Sequence, residues 1–243
     1  MHNQRTNPIE IDKEEFRQIG YRLIDDISNF FDHIHEKPVT YNRSPSEIQK
    51  IIGDVPLPEN GSEASTLTYK AAELLLNNSL FNGHPKFLGY ITSSAAPIGA
   101  LADLLAASIN PNVGAHILSP IATEIEKQTI KWLCDFIGVS SDYGGILVSG
   151  GNMANFTAFL AARTAKTPSS VKENGIENSK SKYTVYCSKT THTWIEKAVI
   201  LFGLGTKSIR WIATDDSNKI NMSVLESTIK MDIDNNCTPL MVV

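Results

Sequence analysis

A glycine-rich stretch at residues 144–156 restricts the fold of this chain more than any other feature of its sequence. Residues 145–149 are apolar in the middle and bounded by glycine, which predicts a short buried strand. Gly150 and Gly151 permit a sharp turn, and Asn152 is a favoured N-cap for the helix predicted to follow. A strand, a glycine turn and a helix N-terminus together present free N–H groups to an anion, most often a phosphate. The same pattern also occurs as a plain strand-to-helix turn, and it matches neither a Walker loop nor a dinucleotide-binding motif.

The composition is that of an ordinary globular protein, with 243 residues, 42% hydrophobic and 20% charged residues and a formal net charge of −4. This charge gives no electrostatic reason to expect binding to nucleic acid or to an anionic membrane. Three scattered cysteines without metal-ligand spacing predict no metal site and a reduced, cytoplasmic protein. No apolar run reaches the roughly 20 residues of a membrane span, and the N-terminus lacks the apolar core of a signal peptide.

The order of predicted elements indicates an α/β protein. Amphipathic or capped helices are predicted at 12–37, 45–53, 66–77, 97–109 and 120–138, and a polar, exposed loop at 166–182. Strands at 183–187, 208–213 and 239–243 then alternate with helices at 194–202 and 223–232, which favours a mainly parallel sheet covered by helices. We expect an N-terminal helical segment at 1–80 and a large domain at 81–243. Because the chain stops within an apolar strand, we expect that domain to be incomplete.

Four sequence blocks occur in the order and spacing of one known family. They are His84-Pro-Lys-Phe87 with Gly89-Tyr90, Ser119 to Trp132, Ser149 to Arg163, and Thr191-His192 with Glu196-Lys-Ala198. Through these blocks the chain, from about residue 12 to its end, resembles the group II pyridoxal-phosphate-dependent amino acid decarboxylases. The resemblance implies the aspartate-aminotransferase type of fold (PLP fold type I) and pyridoxal 5′-phosphate as the cofactor. It implies decarboxylation of an L-amino acid in the full-length protein. The long apolar stripe of the helix at 12–37 favours a homodimer held by the N-terminal segment, with packing of that stripe on its own domain as the alternative.

The resemblance also implies roles for residues near the cofactor. Gly151 and Asn152 would hold its phosphate, although the family often has Ser at the position of Asn152. His192 would stack on the pyridine ring and help to move protons at the substrate α-carbon. Without the resemblance, Asn152 would be only a helix cap and His192 a surface or capping residue.

Three further residues fall where the family builds its substrate entrance, partly across the dimer. Tyr90 and His84 would lie on the substrate side, and Thr92 would reach a phosphate. Packing within a loop is the alternative for all three.

Two departures from the family pattern bear on activity. Members that act on aromatic substrates usually have a Trp before the His-Pro element and bulky residues before the Ser-Pro helix, whereas Gly83 and residues 112–114 stand there. We therefore expect an acidic or aliphatic substrate. None of the lysines fits the pattern by which the family anchors its cofactor. In the family, that lysine and the acid that partners the pyridine nitrogen both lie beyond the position of residue 243. We therefore expect this chain alone to be inactive. Other reactions of the same fold, such as carbon–carbon cleavage or oxidative deamination, and a non-catalytic dimerising remnant remain alternatives.

Overall fold

The protein is described by a computed structural model that covers residues 9–54, 56–176 and 181–243. Its residues divide into two compact units, 1–110 and 111–243. The first unit contains four helices, α1 (Lys13–His33), α2 (Pro45–Ile52), α3 (Ala64–Asn78) and α4 (Pro97–Ile109). The second contains α5 (Pro120–Ile137), α6 (Gly151–Lys166), α7 (Ser169–Asn174), β1 (Lys182–Ser188), α8 (Trp194–Leu201), β2 (Ile209–Ile212), α9 (Met222–Asp234) and β3 (Cys237–Val242).

α1, α2 and α4 begin where the sequence predicts, whereas α3 begins at Ala64, two residues before its predicted start. The carboxylate of Asp12 accepts hydrogen bonds at 2.8 Å from the N–H groups of Glu14 and Glu15, which caps α1. Ser44 and Glu47 form a reciprocal capping box at the start of α2. Each cap satisfies N–H groups that have no partner within the helix. α1 packs against α3, so the N-terminal helical segment has an interior contact of its own.

The second unit is built on a parallel sheet with the strand order β2-β1-β3. Val185 pairs with Ile209 on one side of β1, and Tyr183 pairs with Thr238 on the other. Six of the seven residues of β1 are buried because the strand has a neighbour on each edge and is covered on both faces. This arrangement confirms the predicted α/β class with a parallel sheet.

Alternate side chains of β1 enter two different cores, as the period of a strand requires. On one face, Val185 and Cys187 contact an apolar cluster that includes Phe159 of α6 and Ile195 of α8. On the other face, Tyr186 joins Ile212 and Leu225, the latter from α9. The helices on both faces therefore fix the position of β1 and of the loop that follows it.

The predicted strand at 145–149 is wrong. These residues form no strand ladder within the described residues, and Ile146 and Leu147 are 61% and 55% exposed. A strand needs a neighbour to accept and donate its backbone hydrogen bonds, and none of the described strands β1, β2 and β3 pairs with these residues. The N–H of Leu147 instead donates to the carboxylate of Glu126 at 2.8 Å.

Two further local predictions are wrong. Asn152 is not the N-cap of α6, because Gly150 takes that place and Asn152 lies within the first turn. The segment 166–182 is not entirely a loop, since α7 forms there and buries Val171. Residues 177–180 of that segment lie outside the described residues.

Candidate functional site

The N-terminus of α6 leaves backbone donors unused. Gly150 accepts the first hydrogen bond of the helix, from the N–H of Ala154 at 3.0 Å. The N–H groups of Gly151, Asn152 and Met153 therefore precede the first intrahelical donor. Among the described residues, no side chain caps this end, and the first turn of α6 has no acidic residue. The end of the helix thus presents positive partial charge to a negative group.

Gly150 and Gly151 meet different requirements. Gly150 has φ of 137° and ψ of 167°, a backbone conformation that is essentially restricted to glycine. Gly151 is helical, and a Cβ built on it would meet no atom within 4 Å. The backbone therefore requires glycine at 150, whereas at 151 glycine leaves open space above the free N–H groups. This open approach fits the phosphate that the sequence predicts here.

His192 lies in the short loop between β1 and α8 and is exposed. Its Nδ1 accepts a hydrogen bond from the N–H of Trp194 at 3.2 Å. The neutral ring therefore carries its proton on Nε2, and that atom points away from the turn bond. Trp194 is buried, which anchors the backbone that orients the histidine. The result is an exposed imidazole with a fixed tautomer at the carboxyl end of the central strand, where α/β sheets place ligands.

The two parts of this candidate site are carried by elements that pack together. α6, which begins at Gly151, packs against β3 and against α8, which follows His192. Phe159 of α6 lies edge-on to the ring of Trp194, with the ring centroids 6.5 Å apart. Cys187, near the end of β1, is buried, and burial raises the pKa of its thiol. That thiol is therefore a core side chain and not a nucleophile at neutral pH.

A buried polar network ties β1 to β2 and α9, and sequence analysis missed it. The Tyr186 hydroxyl donates to Asp232 at 2.8 Å and lies 2.8 Å from the Thr184 hydroxyl. Arg210 donates to both carboxylate oxygens of Asp232 at 2.9–3.0 Å. Burial opposes ionisation of Asp232, but the hydrogen bonds from Arg210 and Tyr186 outweigh it and lower the pKa of the carboxyl. The only sequence signal for this pair is the opposite charge of Arg210, within a strand, and Asp232, within a helix.

The other predicted site residues belong to the first unit. His84 is 3% exposed, and its Nδ1 accepts from the N–H of Lys86 at 3.0 Å. Its buried Nε2 has no partner within the residues that the structure describes. Tyr90 is 91% exposed with a positive φ of 59°, and Thr92 is also exposed. The structure thus places Gly151, Asn152 and His192 in the second unit and His84, Tyr90 and Thr92 in the first.

Comparison with known proteins identifies the family of the chain. Residues 38–243 match the pyridoxal-dependent decarboxylase conserved domain. The chain is 34% identical over 229 residues to an aromatic-L-amino-acid decarboxylase of Bacillus atrophaeus, covering 92% of this chain and 45% of that protein. It is 28% identical over 238 residues to a phenylacetaldehyde synthase of a Rosa hybrid cultivar, covering 95% and 46%. The chain spans about half the length of the curated relatives it matches.

Solved structures show the same fold. The crystal structure of Catharanthus roseus tryptophan decarboxylase in complex with L-tryptophan superposes with a TM-score of 0.84 at 22% identity. The superposition covers 98% of this chain and 50% of that one. Within the described residues, no helix is both long and apolar enough to cross a membrane.

Proposed function

Since this chain belongs to the pyridoxal-dependent decarboxylase family, we propose that the whole protein is a carboxy-lyase that decarboxylates an L-amino acid with pyridoxal 5′-phosphate. The observation that carries the proposal is the N-terminus of α6, where free N–H groups lie under open space at Gly151. When bound, the cofactor supplies the electron sink that allows the substrate carboxylate to leave as CO₂. The chain's own residues bind the phosphate, orient the substrate and move a proton at its α-carbon.

The roles of the side chains are those that the family resemblance implies. The N–H groups of Gly151 and Asn152 would donate to the phosphate, and the Asn152 amide would add a further donor. The resemblance also implies a phosphate contact for the Thr92 hydroxyl. His192 would donate a proton to the substrate α-carbon from Nε2–H, which requires its Nδ1 to release the Trp194 bond and take up a proton from solvent. By the same resemblance, the segment that carries His84, Tyr90 and Thr92 would contribute to the substrate entrance of the whole protein.

The substrate class follows from two lines of argument that disagree. Gly83 and residues 112–114 predict an acidic or aliphatic amino acid, since bulky residues are missing from those positions. The relatives' names instead favour an aromatic amino acid, as in the aromatic-L-amino-acid decarboxylase that is 34% identical. A panel of tyrosine, tryptophan, glutamate and aliphatic amino acids decides between the two.

A second candidate reaction is oxidative deamination on the same site. It is favoured by one relative, at 28% identity, that is named for an aldehyde product. The two reactions differ in their products, because decarboxylation alone gives CO₂ and an amine. Decarboxylation coupled to oxidative deamination consumes O₂ and water and gives CO₂, ammonia, hydrogen peroxide and an aldehyde. The product analysis of the same panel therefore separates them.

The whole protein is also proposed to be a cytoplasmic homodimer. Residues 1–80 would form the dimerising segment and 81–243 part of the cofactor-binding domain. Phe16 and Tyr21 of α1 are 56% and 60% exposed, and such apolar surface favours a protein partner. The three cysteines are free, which agrees with a reducing compartment.

The test compares two site variants of the whole protein. His192→Ala should lower kcat about 10²–10⁴-fold and leave bound cofactor near normal, because loss of acid–base assistance acts on the chemical step. Gly151→Val should instead lose pyridoxal phosphate on dialysis, because its side chain enters the phosphate space. CO₂ release and cofactor absorbance measure the two effects.

Matched controls are available in exposed parts of the chain. Gly61 also has no atom within 4 Å of a built Cβ, so Gly61→Val tests a bulky residue at an open glycine outside the site. His35 is an exposed histidine beside Glu36, and His35→Ala controls for loss of an imidazole. Near-normal turnover in His192→Ala, or normal cofactor retention in Gly151→Val, would show that the site lies elsewhere.

A further inference from the structure

His84 organises a tight turn with both its backbone and its ring. Its carbonyl accepts from the N–H of Phe87 at 2.9 Å, which closes a four-residue turn with Pro85 at the favoured second position. Its Nδ1 accepts from the N–H of Lys86 at 3.0 Å, and its own N–H donates to the carbonyl of Phe81 at 3.0 Å. The buried ring therefore acts as a hydrogen-bond acceptor for the backbone two residues further on.

The end of this turn supports Tyr90. The ring centroids of Phe87 and Tyr90 lie 6.5 Å apart with an angle of 40° between the planes. A Cβ on Gly89 would come within 3.1 Å of the Phe87 ring, so any other residue there would require that ring to shift. Phe87 thus fills the space beside the backbone that leads into Tyr90.

Tyr90 itself adopts a conformation that its surroundings must enforce. Its φ of 59° is in the left-handed region, which aromatic residues rarely adopt, and its side chain is 91% exposed. An exposed ring on a strained backbone persists only when neighbouring structure determines it, and such residues cluster at ligand sites. The neighbouring structure here is the turn at His84 and the ring of Phe87.

We infer that His84 is a positioning residue that acts through its Nδ1 on the turn at 84–87 and so fixes Tyr90 for the substrate. The inference rests on the proposed function for the role of Tyr90, but the turn itself does not depend on that function. It gives His84 a part in substrate recognition that requires no contact between its ring and the substrate. The alternative is a direct contact between Nε2–H and the substrate, and it predicts different effects of His84 substitutions on KM.

Substitution of His84 by Asn or by Gln distinguishes these alternatives, because Asn can replace the acceptor Nδ1 and Gln can replace the donor Nε2–H. His84→Asn places a side-chain oxygen where it accepts from the N–H two residues on, as in an Asx turn. His84→Gln is one bond longer and offers an N–H near the position of Nε2, without a favourable acceptor for Lys86. If His84 acts through the turn, Gln raises KM for the amino acid about tenfold, the effect of one lost hydrogen bond, and Asn restores most of that loss. If Nε2–H touches the substrate, Gln is the better replacement and the inference is wrong.

A double-variant cycle tests whether the effect passes through Tyr90. Tyr90→Ala combined with His84→Gln should have nearly the KM of Tyr90→Ala alone, since the turn then has no ring to position. Fully additive effects on KM would contradict the inference. The thermal unfolding midpoint of each variant is measured in parallel, and the comparison is made between Asn and Gln variants that remain folded.

Amide hydrogen exchange provides a readout that does not need turnover. The peptide covering residues 81–92 should exchange faster in His84→Gln than in the wild-type protein, because the Lys86 amide loses its acceptor. His84→Asn should keep the slower exchange. If the wild-type protein decarboxylates no amino acid, the proposed function is wrong while this experiment still tests the turn. Equal exchange in all three proteins would overturn the inference itself.

Discussion

Tyr186 carries its hydroxyl into the closed interior between β1 and α9, which makes the stability of the protein depend on alkaline pH in a predictable way. The ring is 0% exposed, and its hydroxyl is shared between Asp232 and Thr184. Burial, with the neighbouring Asp232 carboxylate, raises the pKa of Tyr186 from 10.0 to about 12. The folded protein therefore holds this proton at a pH where the unfolded chain releases it.

The size of the effect follows from that difference. Below pH 10 both states are protonated and the full contribution to stability is present. As the pH rises from 10 towards 12, the Tyr186 hydroxyl ionises in the unfolded state but stays protonated in the folded state. The free energy of unfolding therefore falls. At pH 11 the loss is about 1.4 kcal/mol relative to pH 8, and it approaches about 2.7 kcal/mol above pH 12.

Tyr186→Phe isolates this contribution because phenylalanine has no proton to lose. At pH 8 the variant should be less stable than the wild type by about 1–3 kcal/mol, since the Asp232 carboxylate and the Thr184 hydroxyl lose a buried partner. Between pH 8 and pH 11 that difference should shrink by about 1.4 kcal/mol. Urea unfolding at the two pH values, followed by circular dichroism with reversibility checked, gives both free energies.

The control is Tyr143→Phe, since Tyr143 is 65% exposed. It should stay within about 0.5 kcal/mol of the wild type at each pH. A difference between wild type and Tyr186→Phe that is constant or grows between pH 8 and 11 would refute the reasoning.

Three further predictions follow from the sequence and the structure. The 243-residue chain alone should show no decarboxylation and no single stoichiometrically labelled lysine after borohydride reduction with pyridoxal phosphate; peptide mapping of one such lysine would contradict this. Deletion of residues 1–65 should abolish the soluble dimer of the whole protein, and an active monomer by light scattering would count against it. In Asp232→Asn the free energy of unfolding should decrease less than in the wild type as the pH falls below 3.8, because hydrogen bonds lower the pKa of Asp232 in the folded state. The same decrease in both proteins would show that Asp232 does not cause it.

Local sequence signals predict much of this fold. The run around Val185 specifies a strand buried on both faces and the run around Ile209 a second strand, and the helix between them favours parallel order. Helix ends are equally well marked, as at Ser44, whose side chain and Glu47 form the expected capping box. In each of these cases the sequence signal lies in a short run of neighbouring residues.

Predictions fail where a distant partner decides the outcome. The apolar residues at 145–149 indicate burial, but a strand also requires a neighbour with unpaired backbone groups. The pairing of Arg210 with Asp232 joins residues 22 positions apart and depends on how α9 lies on the sheet. The left-handed backbone of Tyr90 has no sequence signature either, because it results from packing against Phe87.

The candidate site was predictable in part for the same reason. The glycine turn before α6 and the position of His192 after β1 follow from local order, and the family resemblance adds the roles of Asn152 and Thr92. The turn bond of His84 and the tautomer of His192 depend on backbone N–H groups that only the folded chain brings into place. The roles of these residues in binding and catalysis remain predictions for the variants described above.

Gly150, which caps α6, and Gly151, its first residue, are constrained by different requirements in related sequences. A relative that no longer binds the cofactor would tolerate alanine or serine at the position of Gly151, because among the described residues no atom lies within 4 Å of a Cβ there. A substitution at the position of Gly150 would strain the backbone in active and inactive relatives alike. Among homologous sequences, position 150 therefore reports whether the fold persists, and position 151 reports whether a ligand still constrains it.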